Sequence, residues 1–312
     1  MSHTRRQFLH ASAAGLATAA LDTGGLRRRL AAAAPAPRFA LGFSQYGMLD
    51  RKTADAMKAC ADIGYRAFEL APQDGWPADP KALSAADRKE LRSRYADLNL
   101  TLPSLLVNLP EPVPEAAHRA NLDRIKAVGE LGHDLSPASP PVILTNISGK
   151  PADWPKVRDH VADRFRAWAD AGKAVKTVVA VKPHVKCALH SPDGGRWVME
   201  QVNSPWLRLC YDFSHYRVQG LGLADTVKAV VPLSALVHLK DAAGTADKFE
   251  FLLPGDGDTD YREFGRLVAA AGYRGPMVVE VSRLVWSKPG YDPVAAAKRC
   301  YAKLAGPLGD PG

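Results

Sequence analysis

The absences in this 312-residue chain narrow its class first. It has four cysteines, Cys60, Cys187, Cys210 and Cys300, and none forms a C-x-x-C pair, which excludes a zinc knuckle. Cys60 and Cys210 fall where free thiols act as small core residues. Cys187 and Cys210 fall on adjacent strand ends, where an oxidising compartment would allow them to pair. No run of Lys and Arg interleaved with aromatics is present, which argues against a nucleic-acid partner. No apolar stretch approaches the ~20 residues needed to span a membrane. The segment Ser44–Asp50, SQYGMLD, lacks the G-x-G-x-x-G of a dinucleotide fold, and no other Gly-rich turn suited to a phosphate is evident.

The first residues read as a leader. Arg5-Arg6 with Gln7-Phe8-Leu9 is a twin-arginine pattern; Ala11 to Ala20 is a short apolar run, and Ala31 to Ala36 offers small residues for cleavage. The expectation is an export signal over residues 1–36, read by the twin-arginine machinery, and a periplasmic or secreted protein. Residues 1–36 carry five Arg and one Asp, half of the formal net charge of +8. The remainder is too modest and dispersed for a nucleic-acid surface.

From residue 37 to 306, short apolar runs alternate with longer amphipathic ones, and residues 307–312 read as a tail. The runs are at 38–44, 65–70, 102–107, 142–146, 177–182, 207–212, 236–240 and 277–281. Helical patterns separate them, near 52–63, 84–98, 114–131, 154–171, 194–202, 223–230, 261–271 and 293–304. The apolar runs are continuous, as expected for parallel strands covered on both faces. Eight such units with no break predict an α/β fold, a single closed (β/α)8 TIM-type barrel.

In such a barrel the chemistry sits at the carboxyl ends of the strands. Three consecutive strand ends carry Asp212 in YDFSH, His238 in VHLKD and Glu280 in VVEVS. These are oxygen and nitrogen donors suited to Mn²⁺, Zn²⁺ or Mg²⁺. Each has a plainer reading: Asp212 as a turn cap, His238 as a satisfied core histidine, His215 as an exposed loop residue. Glu280 is harder to dismiss, because a carboxylate in an apolar strand is costly unless paired. Residues i and i+2 of a strand share a face, so Lys182 points with His184 and His238 with Lys240. Glu69 reads as facing outward between strand and helix and is left outside the site.

The arrangement resembles the xylose-isomerase-like barrel superfamily of sugar isomerases, epimerases and endonuclease-IV-type enzymes, over about residues 38 to 305. In the sugar epimerase branch, Glu, Asp, His and Glu from strands five to eight hold the metal. The resemblance implies Asp212, His238 and Glu280 as metal ligands and His215 as a substrate contact, and PGDGDTDY at Pro254–Tyr261 is similar to the loop before helix seven. Lys182-Pro183-His184 departs from the usual Glu-Pro-His. An ammonium has no lone pair for a metal. Three readings follow: a metal held by Asp212, His238 and Glu280 with water or His184; an ammonium standing in for the metal; or Lys182 as a Schiff-base amine.

In the family it resembles, two-base epimerisation uses the glutamates of strands five and eight, and only Glu280 remains here. Glu280 as base with Lys182 opposite suits isomerisation or elimination beside the carbonyl of a keto-sugar, with His184, His215 and Lys240 contacting substrate. The partner is then a small carbohydrate, and the alternative is a non-catalytic sugar-binding barrel. The multi-zinc chemistry of the endonuclease branch needs more histidines than are placed here.

Overall fold

The computed structural model describes residues 39–309; the expected leader lies outside them. The strands are β1 (Leu41–Ser44), β2 (Ala67–Glu69), β3 (Ser104–Leu106), β4 (Val142–Thr145), β5 (Val179–Val181), β6 (Leu207–Asp212), β7 (Ser234–Leu239), β8 (Asp241–Gly244), β9 (Phe249–Leu252) and β10 (Met277–Val279). Eight of them form one sheet in the order β2-β1-β10-β7-β6-β5-β4-β3, with every pairing parallel. Isolated parallel bridges, Ala67 to Thr101 and Leu70 to Leu105, close the ring between β2 and β3.

The helices are α1 (Thr53–Ile63), α2 (Ala85–Asp97), α3 (Glu115–Leu135), α4 (Trp154–Ala174), α5 (Pro192–Val202), α6 (Phe213–Arg217), α7 (Leu223–Val230), α8 (Tyr261–Ala270), α9 (Arg283–Trp286) and α10 (Pro293–Leu308). Their starts follow local chemistry. Ser84 and Asp87 form a reciprocal capping box on α2. Asp260 accepts from two amides at the start of α8, and Asp292 does the same for α10, where Pro293 sets the first turn. The last helix runs past the expected end of the barrel at residue 306, and Leu308 is buried in the core. No helix among the described residues is long and apolar enough to cross a membrane.

Two layers fill the barrel. Leu106, Leu144, Ala180, Cys210, Leu236 and Val278 pack together in the first. Two residues further along the same strands, side chains point the same way, and there the sequence places Asn108, Asn146, Lys182, Asp212, His238 and Glu280. On β1 and β2 the same step leads from Gly42 and Ala67 to Ser44 and Glu69. A Cβ on Gly42 would lie 3.0 Å from that of Ala67 and 3.2 Å from Val278 Cγ2, so a larger residue in this crowded corner would have to push its neighbours back by a few tenths of an ångström. All four cysteines are buried and free, Cys187 and Cys210 included. Cys210 belongs to the inner apolar layer, while Cys187 Sγ accepts from Asn146 Nδ2 at 3.6 Å.

Candidate active site

The three strand ends singled out in the sequence converge. Asp212 and His238 are direct cross-strand neighbours on β6 and β7. Glu280 follows β10, whose Val278 pairs with His238. Ligand atoms of Asp212, His238 and Glu280 all lie within 4.8 Å of one another, so a triad able to hold a metal is present among the described residues.

Lys182 Nζ sits against every member of that triad. It is 2.6 Å from Glu280 Oε2, 3.5 Å from Asp212 Oδ2 and 3.4 Å from His238 Nδ1. Lys240 Nζ reaches the same two carboxylate oxygens, at 2.7 Å from Glu280 and 3.0 Å from Asp212. Two cations therefore face two anions in a buried cluster. Burial alone would lower the Lys182 pKa, but Glu280 and Asp212 outweigh it and hold the amine above its ordinary value. Burial would raise the carboxyls; Lys182, Lys240 and His238 at Glu280, and Lys240, His215 and Lys182 at Asp212, hold both well below the usual range. An amine held as ammonium neither ligates a metal nor attacks a carbonyl. As the side chains stand, a divalent ion does not fit the triad without displacing Lys182.

Asp212 is both a cap and a site residue. Oδ1 accepts from Ser214 N at 3.2 Å and Ser214 Oγ at 2.6 Å, capping α6. Oδ2 faces the lysines and lies 3.4 Å from His215 Nε2. That fixes its rotamer from the side away from the cavity.

Glu69 corrects the sequence reading. It points inward, fully buried, and accepts from Ser104 Oγ at 2.5 Å and from His238 Nε2 at 3.0 Å. A carboxylate only accepts, so His238 carries a proton on Nε2 and turns Nδ1 toward Lys182 and Glu280. Burial would lower the His238 pKa; Glu69 reverses that and raises it. The i+2 step from the inward Ala67 was the signal for Glu69. His238 is thus a site residue held by a buried partner, not a core histidine alone.

His215 is also fully buried, not an exposed loop residue. Burial takes its pKa down to about 4 against the pull of Asp212, so the ring is neutral near pH 7. It lies 3.4 Å from Lys240 Nζ and its ring centre 4.1 Å from that of His184. Burial, then His215 and Lys240, push the His184 pKa well down. The Lys186 amide donates to His184 Nδ1 at 3.2 Å, which leaves the proton of the neutral ring on Nε2.

The cluster opens into a cavity of about 250 Å³ lined by Lys182, His184, Lys240, Glu280 and Tyr46 among others. That is near the lower end of the ~300–1,000 Å³ usual for small-molecule sites. Tyr46 stacks on Trp76 and meets Trp286 edge-on, whereas Tyr216 stacks on Tyr211 in the core. The β8–β9 hairpin was not anticipated. Its Phe251 lies edge-on to His215, at 5.1 Å between ring centres, and 4.6 Å from Lys240 Nζ. The alternation in FEFL and the turn glycine, Gly244 with φ +92°, were its signals. Asp241 at the hairpin start accepts from the amides of Gly255 and Gly257 and from Tyr261, pinning the PGDGDTDY loop.

Residues 57–300 match the family described as xylose isomerase-like TIM barrel. The chain belongs to that family. No curated protein matches it in sequence. Among solved structures it is similar to a 3-keto-D-glucoside 4-epimerase from E. coli, with 16% identity and a TM-score of 0.68 over 86% of this chain and 100% of that one. It is similar to the IolI protein with a bound zinc atom, with 14% identity and a TM-score of 0.71 over 86% and 97% of the two chains. It also covers 42% of a longer xylose isomerase-like TIM barrel/4-hydroxyphenylpyruvate dioxygenase fusion protein, at 18% identity, a TM-score of 0.67 and 86% of this chain. These likenesses show the shared barrel. Within it, membership of this family supports carbohydrate isomerase- or epimerase-like chemistry.

Proposed function

We propose that this barrel moves a proton beside the carbonyl of a keto-sugar, as an isomerase or lyase, with the Lys182 ammonium where a metal would otherwise stand. The observation that carries the reading is the contact of Lys182 Nζ with all three triad members, none farther than 3.5 Å. A fixed cation in a buried, water-poor site stabilises an enolate oxygen without ligation chemistry.

In this reading Glu280 accepts the proton from the carbon next to the carbonyl. Its lowered pKa makes it a weak base in isolation. The same two ammonium groups, however, face the carbonyl oxygen of a bound substrate. As the proton leaves carbon, negative charge passes from Glu280 to the enolate oxygen inside one cationic cradle, so the field opposing the transfer at one end favours it at the other. Glu280 is the one carboxylate lining the cavity, since Asp212 and Glu69 lie behind the lysines and His238. A single facing carboxylate fits isomerisation, in which the same group returns the proton. It also fits elimination, in which the Nε2 proton of His184 goes to the leaving hydroxyl.

A sugar-binding barrel without turnover is the second reading, and the full pairing of Glu280 with two lysines is the observation behind it. Deuterium uptake from D₂O into a panel of keto-sugars, followed by NMR in the presence of EDTA, separates the two. The catalytic reading expects exchange in the native protein and a loss of ~10²–10⁴-fold in Glu280→Gln. Undiminished exchange in that variant would sink the assignment of Glu280, and binding without exchange would support the second reading.

A further inference from the structure

We infer that the sugar taken by this cavity is an acid, whose carboxylate is held at the rim by Arg283 and Lys186. The inference rests on the reading of the cavity as a keto-sugar site and adds the charge of the substrate.

The argument is a count of charges by depth. At the bottom, Lys182 and Lys240 face Asp212 and Glu280 within 3.5 Å, and those four charges balance. At the rim, Arg283 and Lys186 line the same cavity, and Glu280 is its one carboxylate. Neither rim cation has a carboxylate partner among the described residues. Arg283 is the first residue of α9 and lines the cavity at its edge, exposed to solvent. Lys186 Nζ lies 5.2 Å from the centre of the Phe249 ring and donates to Ala246 O at 3.0 Å, which holds the ammonium against the β8–β9 hairpin with two donors left over.

Two cations without a carboxylate partner thus line one small opening, and a neutral sugar offers their N–H groups hydroxyl acceptors but no countercharge. An anion supplies the countercharge and is attracted more strongly because Phe249, Phe251 and Leu284 keep the lining partly apolar. The planar fork of Arg283 matches a carboxylate with two parallel hydrogen bonds. The same fork also pairs with phosphate, but many phosphate sites add successive backbone amides of a glycine-rich turn, and no glycine among the described residues lines this cavity, so the carboxylate is the better fit. With its carboxylate at the rim, the polyol chain lies across Tyr46 toward the lysines, and the ketone reaches the buried cluster.

The test uses the full chain, EDTA in all buffers, and calorimetric titration with three probes: D-fructuronate, D-fructose and D-fructose 6-phosphate. The first two differ chiefly in the acid group, and the third replaces it with a phosphate. The expected result is that the keto acid binds at least about tenfold more tightly than fructose at low salt, an advantage that shrinks as screening rises. Arg283→Gln and Lys186→Gln should each lower the affinity for the acid several-fold and leave that for fructose unchanged. Equal affinity for acid and fructose, no binding of the acid at millimolar concentration, insensitivity to both substitutions, or preference for the phosphate would each overturn the inference. The proton-transfer reading fails separately. If the acid binds as expected but no keto-sugar exchanges deuterium, the acid assignment stands and the catalytic reading falls. If neutral keto-sugars exchange as well as acids do, the reverse holds.

Discussion

Two adjacent layers of the barrel interior share strands, direction and neighbours, and differ by a step of two residues. The lower layer, Leu106, Leu144, Ala180, Cys210, Leu236 and Val278, is apolar and buried. The upper layer carries Lys182, Asp212, His238 and Glu280, all buried, with Glu69 and Lys240 beside them. The lower layer stabilises by removing area from water, roughly in proportion to that area. The upper one gains nothing by burial, and each charge there is tolerable because another faces it. One layer holds the barrel shut; the other holds charge at the floor of the cavity.

The sharpest break in the comparison comes from removing one charge of the upper layer. Lys182→Ala leaves two carboxylates with Lys240 as their remaining lysine, and urea unfolding should show a loss of about 3–5 kcal/mol. Replacing the pair together, Lys182→Met with Glu280→Leu, should restore most of that stability and none of the proton exchange, because Asp212 and Lys240 still balance. A stable single variant would mean the cluster is not interdependent.

In the lower layer, Leu144→Ala should cost about 2–5 kcal/mol through its cavity. Deuterium exchange per folded molecule should stay within a few-fold, since no charge moves. Loss of exchange well beyond the loss of folded protein would show that the layers are not separable.

The smallest effect concerns Glu69 and pH. Asp212, Glu280 and Glu69 titrate lower in the folded chain than their ordinary values of 3.8 and 4.5. Their contribution to stability is complete above those values and is lost as pH falls through the depressed ones. His238 has the opposite sign. Its pKa is raised from 6.5, so its contribution is complete below that value and is lost as pH rises through the higher folded one. Glu69→Gln should cost about 1.5–3 kcal/mol, the worth of a hydrogen bond to a charged group, and should weaken the alkaline fall in melting temperature. Lys182→Met should move the acid fall to higher pH. A Glu69→Gln profile parallel to that of the native chain would remove His238–Glu69 from the account.

Much of this was legible in sequence. Asp212, His238 and Glu280 stood at consecutive strand ends, and Lys182-Pro183-His184 announced the departure from a metal set. The i+2 rule that paired Lys182 with His184 also carries Ala67 to Glu69, and it was not applied there because the inward direction of Ala67 shows only once the barrel is closed. The second lysine, Lys240, was read as a substrate contact sharing a strand face with His238. Its depth depends on the Phe251 hairpin folding over it, a tertiary contact with no local signature. Lys186 lies in a loop and Arg283 opens a helix of only four residues, where spacing says little about direction.

The central claim is that the Lys182 ammonium occupies the place of a metal, and zinc titration by calorimetry tests it most directly. EDTA-treated native protein and Lys182→Glu would be compared near neutral pH. The account predicts no site-specific heat in the native chain and one bound zinc in Lys182→Glu, whose new carboxylate completes a four-ligand set. One tightly bound zinc per native chain would contradict it.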